Sequence, residues 1–276
     1  MKRARGFLKR IIKTIQKTEM RILPGQLAFF IFMSFIPIAI LIGALAGIFN
    51  ITANEIKLVI GASIPKAVVN TLVNLLGNKR ISLETILFLI IAFLIASNGA
   101  HSIIITSNEI YKIKSRNLLS RRVKAIFLTF ILVLLLSVLL LGPVFGDQIF
   151  SIISSNISDK SYVDFIHKIY ELVKYPAILG IIYINIKIIY ILAPDTKVES
   201  LSTSRGAIFT TILWVLASDV FAVYASRAAY DELYGSASAI VVTMVWIYII
   251  SYIFVLGMAI NAGIDREENK EEKWVR

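Results

Sequence analysis

The sequence predicts an all-α polytopic membrane protein with six transmembrane helices, amphipathic interfacial helices and both termini cytoplasmic. Three observations predict it. Of 276 residues, 57% are hydrophobic and 17% charged, and the mean hydropathy is +0.78, a balance foreign to soluble globular domains. Six apolar runs are each long enough to cross a hydrocarbon core of about 30 Å. The basic residues also sort by side. Twenty of the 29 Lys and Arg fall in four segments, seven fall in the three segments between them, and Lys187 and Arg227 lie within spans. Cytoplasmic loops carry the excess of positive charge, which orients the chain with its amino terminus inside.

The chain opens with residues 1–22, MKRARGFLKRIIKTIQKTEMRI, in which eight basic residues face the single acid Glu19. Phe7, Ile11, Ile12 and Ile15 recur at helical spacing, the pattern of an amphipathic helix on an anionic leaflet. A signal peptide would show a shorter apolar core and a small-residue cleavage site. Span one covers 25–49, with Pro24 at its start, Pro37 as an expected kink, and Gly43 and Gly47 spaced for close helix approach. Residues 55–77 are apolar but interrupted by Lys57, Pro65, Lys66 and Asn74, which reads as an interfacial or broken helix.

Span two covers 83–106 and changes character halfway. Residues 86–95 are apolar, whereas Asn98, His101 and Ser102 then share one face. A polar cluster in one half of a span marks either a cavity open at one end or hydrogen bonds between helices. The loop NEIYKIKSRNLLSRRVK carries six basic residues into span three at 125–145. A mixed amphipathic stretch, 147–174, precedes span four at 176–193, which carries Asn185 and Lys187. Pro194 and Asp195 open a short polar connection in which Ser202, Thr203 and Ser204 are candidate helix caps. Span five, at 206–229, holds Asp219 near its middle. Span six, at 237–261, follows a Tyr234-Gly235 hinge, and residues 262–276 form a charged tail. Asp219 and Arg227 are too far apart on one helix to pair, so a partner for Asp219 is expected from another span.

Function is bounded by what the residues exclude. With no cysteine, the chain has no disulfide, thiolate metal site or cysteine nucleophile. The net charge of +11 lies mostly beside apolar runs, which points to membrane lipids and not to nucleic acid. No HxxxH, paired-acid or Gly-rich phosphate loop appears, so neither a cofactor, a metal site nor catalysis is expected, and the missing Walker motif excludes a nucleotide-driven pump within this chain.

Several segments carry a family resemblance. LAFFIFMSFIPIAILIGAL resembles the opening span of the YihY/BrkB family of bacterial membrane proteins, and NEIYKIKSRNLLSRRVKAI is similar to its first inner loop. The last third, from ILAPDTKVESLSTSRGAIFTTILWVLASDVFAVYAS through YGSASAIVVTMVWIYIISYIFVLGMAINA, matches in order and nearly without gaps. The chain departs from the pattern at Ala259, where many members carry an acid. The resemblance implies a six-span protein of the bacterial inner membrane. It links the chain to relatives associated with envelope integrity, serum resistance and lipid or glycolipid movement, and its ribonuclease BN label is a misattribution.

Three functional readings follow. In the first, a transporter or flippase for an amphiphile lines a polar cleft with Gln26, Ser34, Asn98, His101, Lys187, Asp219 and Tyr224, where Lys187 and His101 hold an anionic headgroup. In the second, a structural or adaptor protein of envelope integrity, with a partner membrane protein or a second copy, uses the same residues only to join helices. The third is an enzyme.

Overall fold

The computed structural model describes residues 15–16, 18–48, 83–113, 117–155, 157, 160–198, 200–227 and 235–275. Among them there is no strand. Six long helices follow one another: α1 (Thr18–Ile48), α2 (Leu83–Tyr111), α3 (Leu118–Ser155), α4 (Lys160–Leu192), α5 (Ser200–Arg227) and α6 (Ser238–Val275), with a 3-10 turn (Gly235–Ala237) before the last. Each contains a stretch long and apolar enough to cross a bilayer. The expected interfacial helix at 55–77 and most of the amino-terminal helix lie outside the described residues.

The helices overrun the spans that hydropathy marks, for local reasons. α1 starts at Thr18, so residues 18–22 are its first turns and Pro24 lies inside the helix instead of opening it. Met20, Leu23 and Leu27 are buried at helical spacing, and packing that face holds the turns that precede the proline. α1 also continues as a helix through Pro37. The mixed stretch at 147–174 is helix at both ends of a short connection, so Pro176 is internal to α4 and does not begin it. Aromatic packing zips these ends together: Phe150 stacks on Tyr170 at 5.0 Å and meets the edge of His167 at 5.3 Å. α5 starts at Ser200, which places Ser202 and Thr203 as buried residues of its first turn and not as caps. The charged tail after residue 261 is a continuation of α6.

α2 stops at a Schellman-type end. Lys112 takes a left-handed φ of 57°, and Ile113 N–H donates to the Asn108 carbonyl at 2.9 Å. Gly235, the second half of the expected hinge, has φ of +52°, a conformation that favours glycine.

The chain divides into two compact units. One comprises Met1–Ile36, Leu94–Thr129 and Ile186–Arg276, and the other Pro37–Phe93 and Phe130–Asn185. Among the described residues, all buried polar side chains except Ser137 and Asn185 belong to the first. The second unit exposes large apolar side chains such as Leu87, Phe165 and Leu172. Among the described residues, most buried polar side chains therefore lie in one unit, and the candidate site lies there.

Candidate functional site

The middle of α2 is built from small and polar residues where the first half of the helix is aliphatic. Ile90, Ile91, Leu94 and Ile95 are exposed, whereas Ala96, Ser97, Gly99 and Ala100 are buried. The reason is contact with α1. Gly99 N–H donates to Ser34 Oγ at 3.0 Å, and a Cβ at Gly99 would stand 2.8 Å from that oxygen and 3.1 Å from the serine Cβ. A side chain at position 99 would force Ser34 to shift, so glycine is what lets α1 and α2 approach closely there.

The neighbouring face of α2 receives a charge. Arg122, one turn into α3, donates from Nη1 to Asn98 Oδ1 at 2.9 Å and from Nη2 to the Leu94 carbonyl at 3.3 Å. Asn98 stands near the middle of the apolar run Ile86–Tyr111 and Arg122 near the start of the run Leu118–Leu140, so the arginine side chain joins the beginning of one apolar run to the middle of another. His101, one turn further along α2, is an electrostatic neighbour of both Arg121 and Arg122. Among the described residues, no hydrogen-bond partner meets the buried Nε of Arg121. The polar stripe continues through Ser102 and Thr106, which are 1% and 0% exposed and whose hydroxyls also lack partners.

Two further polar knots hold the unit together. Asp195 accepts from Lys124 Nζ at 2.8 Å and from Asn108 Nδ2 at 2.7 Å, while its own N–H donates to Asn108 Oδ1 at 2.9 Å. The same ammonium donates to the Ala193 and Pro194 carbonyls at 2.8 and 2.6 Å, just past the end of α4. At the crossing of α4, α5 and α6, the fully buried Tyr190 hydroxyl donates to the Phe254 carbonyl at 2.7 Å and shares a 2.7 Å bond with Thr210 Oγ1. Gly206 N–H donates to Asn261 Oδ1 at 2.7 Å beside Gly257.

Of the residues expected in one polar cleft, contacts gather Ser34, Asn98 and His101 around the middle of α2, with Ser34 spent on the α1 crossing. Gln26 on α1 and Lys187 on α4 are half-buried, and Asp219 and Tyr224 are exposed on α5. No partner for Asp219 from another span is present among the described residues. Sequence reasoning missed Arg121 and Arg122, which it counted among the charges of the inner loop. The signal was an Arg-Arg pair at the very start of an apolar run, opposite a polar face that needed donors. Arg brings five N–H donors, no acceptor and a charge it cannot lose. Such an arrangement has the chemistry to bind and orient an anion. Among the described residues, no group of three His, Cys, Asp or Glu is placed to hold a metal.

Comparison with known proteins agrees with this architecture. The chain is 29% identical over 270 residues to a ribonuclease-like protein, YfkH, of Bacillus subtilis, covering 95% of this chain and 96% of that one. A UPF0761 membrane protein of Vibrio parahaemolyticus is 24% identical over 281 residues, covering 97% of this chain and 84% of its own. Another, from Pseudoalteromonas translucida, is 32% identical over 136 residues, covering 47% and 44% respectively. No solved structure matches the chain. The family model described as virulence factor BrkB matches residues 11–275, through all six helices, and the chain therefore belongs to the BrkB family of multi-pass membrane proteins.

Proposed function

We propose that this protein moves or presents a lipid or other amphiphile in the bacterial cytoplasmic membrane, as a transporter or flippase-like protein with both termini in the cytoplasm. The observation that carries this reading is the Arg122 guanidinium bonded to Asn98 and Leu94 at the middle of a membrane-spanning helix. A charge at the centre of a span costs roughly 2.5 to 3.5 kcal/mol on insertion scales and less toward an end, and an arginine drawn toward the middle of α2 cannot escape that cost by losing its proton. A purely structural joint needs no such group, because Ser34 with Gly99 and Tyr190 with Thr210 join helices without charge. Those neutral joints are what favours the second reading, an adaptor that only organises other membrane components. The ribonuclease-like name of YfkH suggests RNA hydrolysis, which needs a metal cluster or a positioned acid and base, and a nucleic-acid chain has no route to the centre of an apolar helix.

The test is reconstitution of the full chain into vesicles containing a headgroup-labelled phospholipid, with and without an imposed proton gradient. Transport exposes inner-leaflet label to an impermeant quencher beyond the outer-leaflet fraction. A protected fraction equal to that of protein-free vesicles in both conditions would leave the adaptor.

A further inference from the structure

The transport reading leaves the chemistry of the ligand open, and the arginine pair narrows it. Arg122 uses two of its five donors, and Arg121 Nε is buried with no partner among the described residues. Neither arginine meets a carboxylate among those residues; the buried ion pair of this unit is Lys124 with Asp195. Asn98 spends its oxygen on Arg122, which fixes the guanidinium fork and leaves the amide nitrogen to donate. The group that completes this site must therefore supply acceptors alone, several of them, and negative charge. A carboxylate fits one guanidinium fork, whereas a phosphate offers enough oxygens for two. The hydroxyls of Ser102 and Thr106, buried and without partners along the same face, extend the unsatisfied stripe one and two turns further. Arg122, Asn98 and His101 are only half-buried, so the position is reachable.

We propose that Arg121 and Arg122, with Asn98 and His101, bind a phosphate group beside the middle of α2; this rests on the same site as the transport reading and assigns its ligand class. The phosphate is either a lipid headgroup or the free anion, and one experiment separates them. The full chain in detergent is equilibrated with phosphatidic acid or with diacylglycerol of the same acyl chains, and retained lipid is counted by native mass spectrometry. Melting is followed in parallel with inorganic phosphate alone. If a headgroup is the ligand, phosphatidic acid is retained over diacylglycerol by about tenfold or more, the size of one good charge-assisted contact. If the free anion is the ligand, inorganic phosphate raises the melting temperature and the two lipids are retained alike.

Two variants tie either response to the site. Arg121→Gln with Arg122→Gln removes both charges and abolishes it. Asn98→Asp is the safer variant, because its carboxylate takes the Arg122 fork internally, which keeps the fold and closes the site to an outside anion. Wild-type protein that neither prefers phosphatidic acid nor responds to inorganic phosphate overturns the proposal, as does a response that persists in a folded Asn98→Asp. Selective retention by a protein that moves no lipid in vesicles removes the transport reading and leaves this site standing. Lipid movement that survives Asn98→Asp, with no selective retention, does the reverse.

Discussion

Asp195 shows how much a single side chain can carry in this fold. Its carboxylate is 1% exposed and accepts from Lys124 and Asn108, and the same lysine satisfies two carbonyls past the end of α4. One acid thus ties the end of α2, the start of α3 and the connection between α4 and α5. A cation at a helix carboxyl end is favoured by the helix dipole, and here it is also fixed by its counter-ion. Removing one member of a buried pair leaves the other charge uncompensated, so Asp195→Ala should cost about 3 kcal/mol or more. Asp195→Asn keeps an acceptor near Asn108 and should lose less. Denaturant unfolding in detergent checks both, and an Asp195→Ala protein as stable as wild type would show that the knot is incidental.

Between elements, α5 and α6 approach closely. Gly206 and Thr210 face Gly257 and Asn261, each pair one turn apart, and Trp214 Nε1 donates to the Ile250 carbonyl at 2.8 Å further along. A Cβ at Gly257 would run into Thr210 Oγ1 and stand 2.5 Å from the Tyr190 hydroxyl and 3.0 Å from the Gly206 carbonyl. These neighbours are packed backbone and bonded hydroxyls that have little room to yield. Gly257→Ala should therefore destabilise by roughly 1 to 3 kcal/mol, the usual cost of overpacking. Gly180 in α4 has nothing within 4 Å of the same added atom. There Gly180→Ala should be neutral or stabilising by up to about 1 kcal/mol, since only helix propensity changes. Melting temperatures of the two variants moving in the same direction would contradict this account.

At the scale of the whole molecule, the distribution of charge sets the expected orientation. With 20 basic residues on one side against seven on the other, a reporter fused after Arg276 should be cytoplasmic and one inserted near residue 156 external. Both reporters on one side, or the reverse arrangement, would sink the six-span orientation. The unit made of Met1–Ile36, Leu94–Thr129 and Ile186–Arg276 then includes both termini and most of the inner segments, together with the polar core. On that orientation the basic segments concentrate anionic lipid in the inner leaflet, the leaflet from which the proposed phosphate ligand is expected to come.

The number and order of the helices are legible in the sequence because span length and hydropathy are properties of each stretch alone. The polar half of α2 is legible for a similar reason, since Asn98, His101 and Ser102 share a face by helical spacing wherever the helix lies. Helix ends were less so. Residues 18–22, 147–174 and 262–275 are too polar to read as span, yet the first are held as helix by burial of Met20 and Leu23 and the second by Phe150 against Tyr170. What only the tertiary structure decided is which polar groups meet. Arg122 and Asn98 are 24 residues apart, and Asn108 and Asp195 are 87 apart. Nothing local distinguishes an arginine that orients the chain from one bonded to the middle of a neighbouring helix, because the difference lies in where the start of α3 meets α2. Burial of Asp195 likewise depends on Lys124 and Asn108 arriving from two other helices, a coincidence of packing that periodicity does not encode.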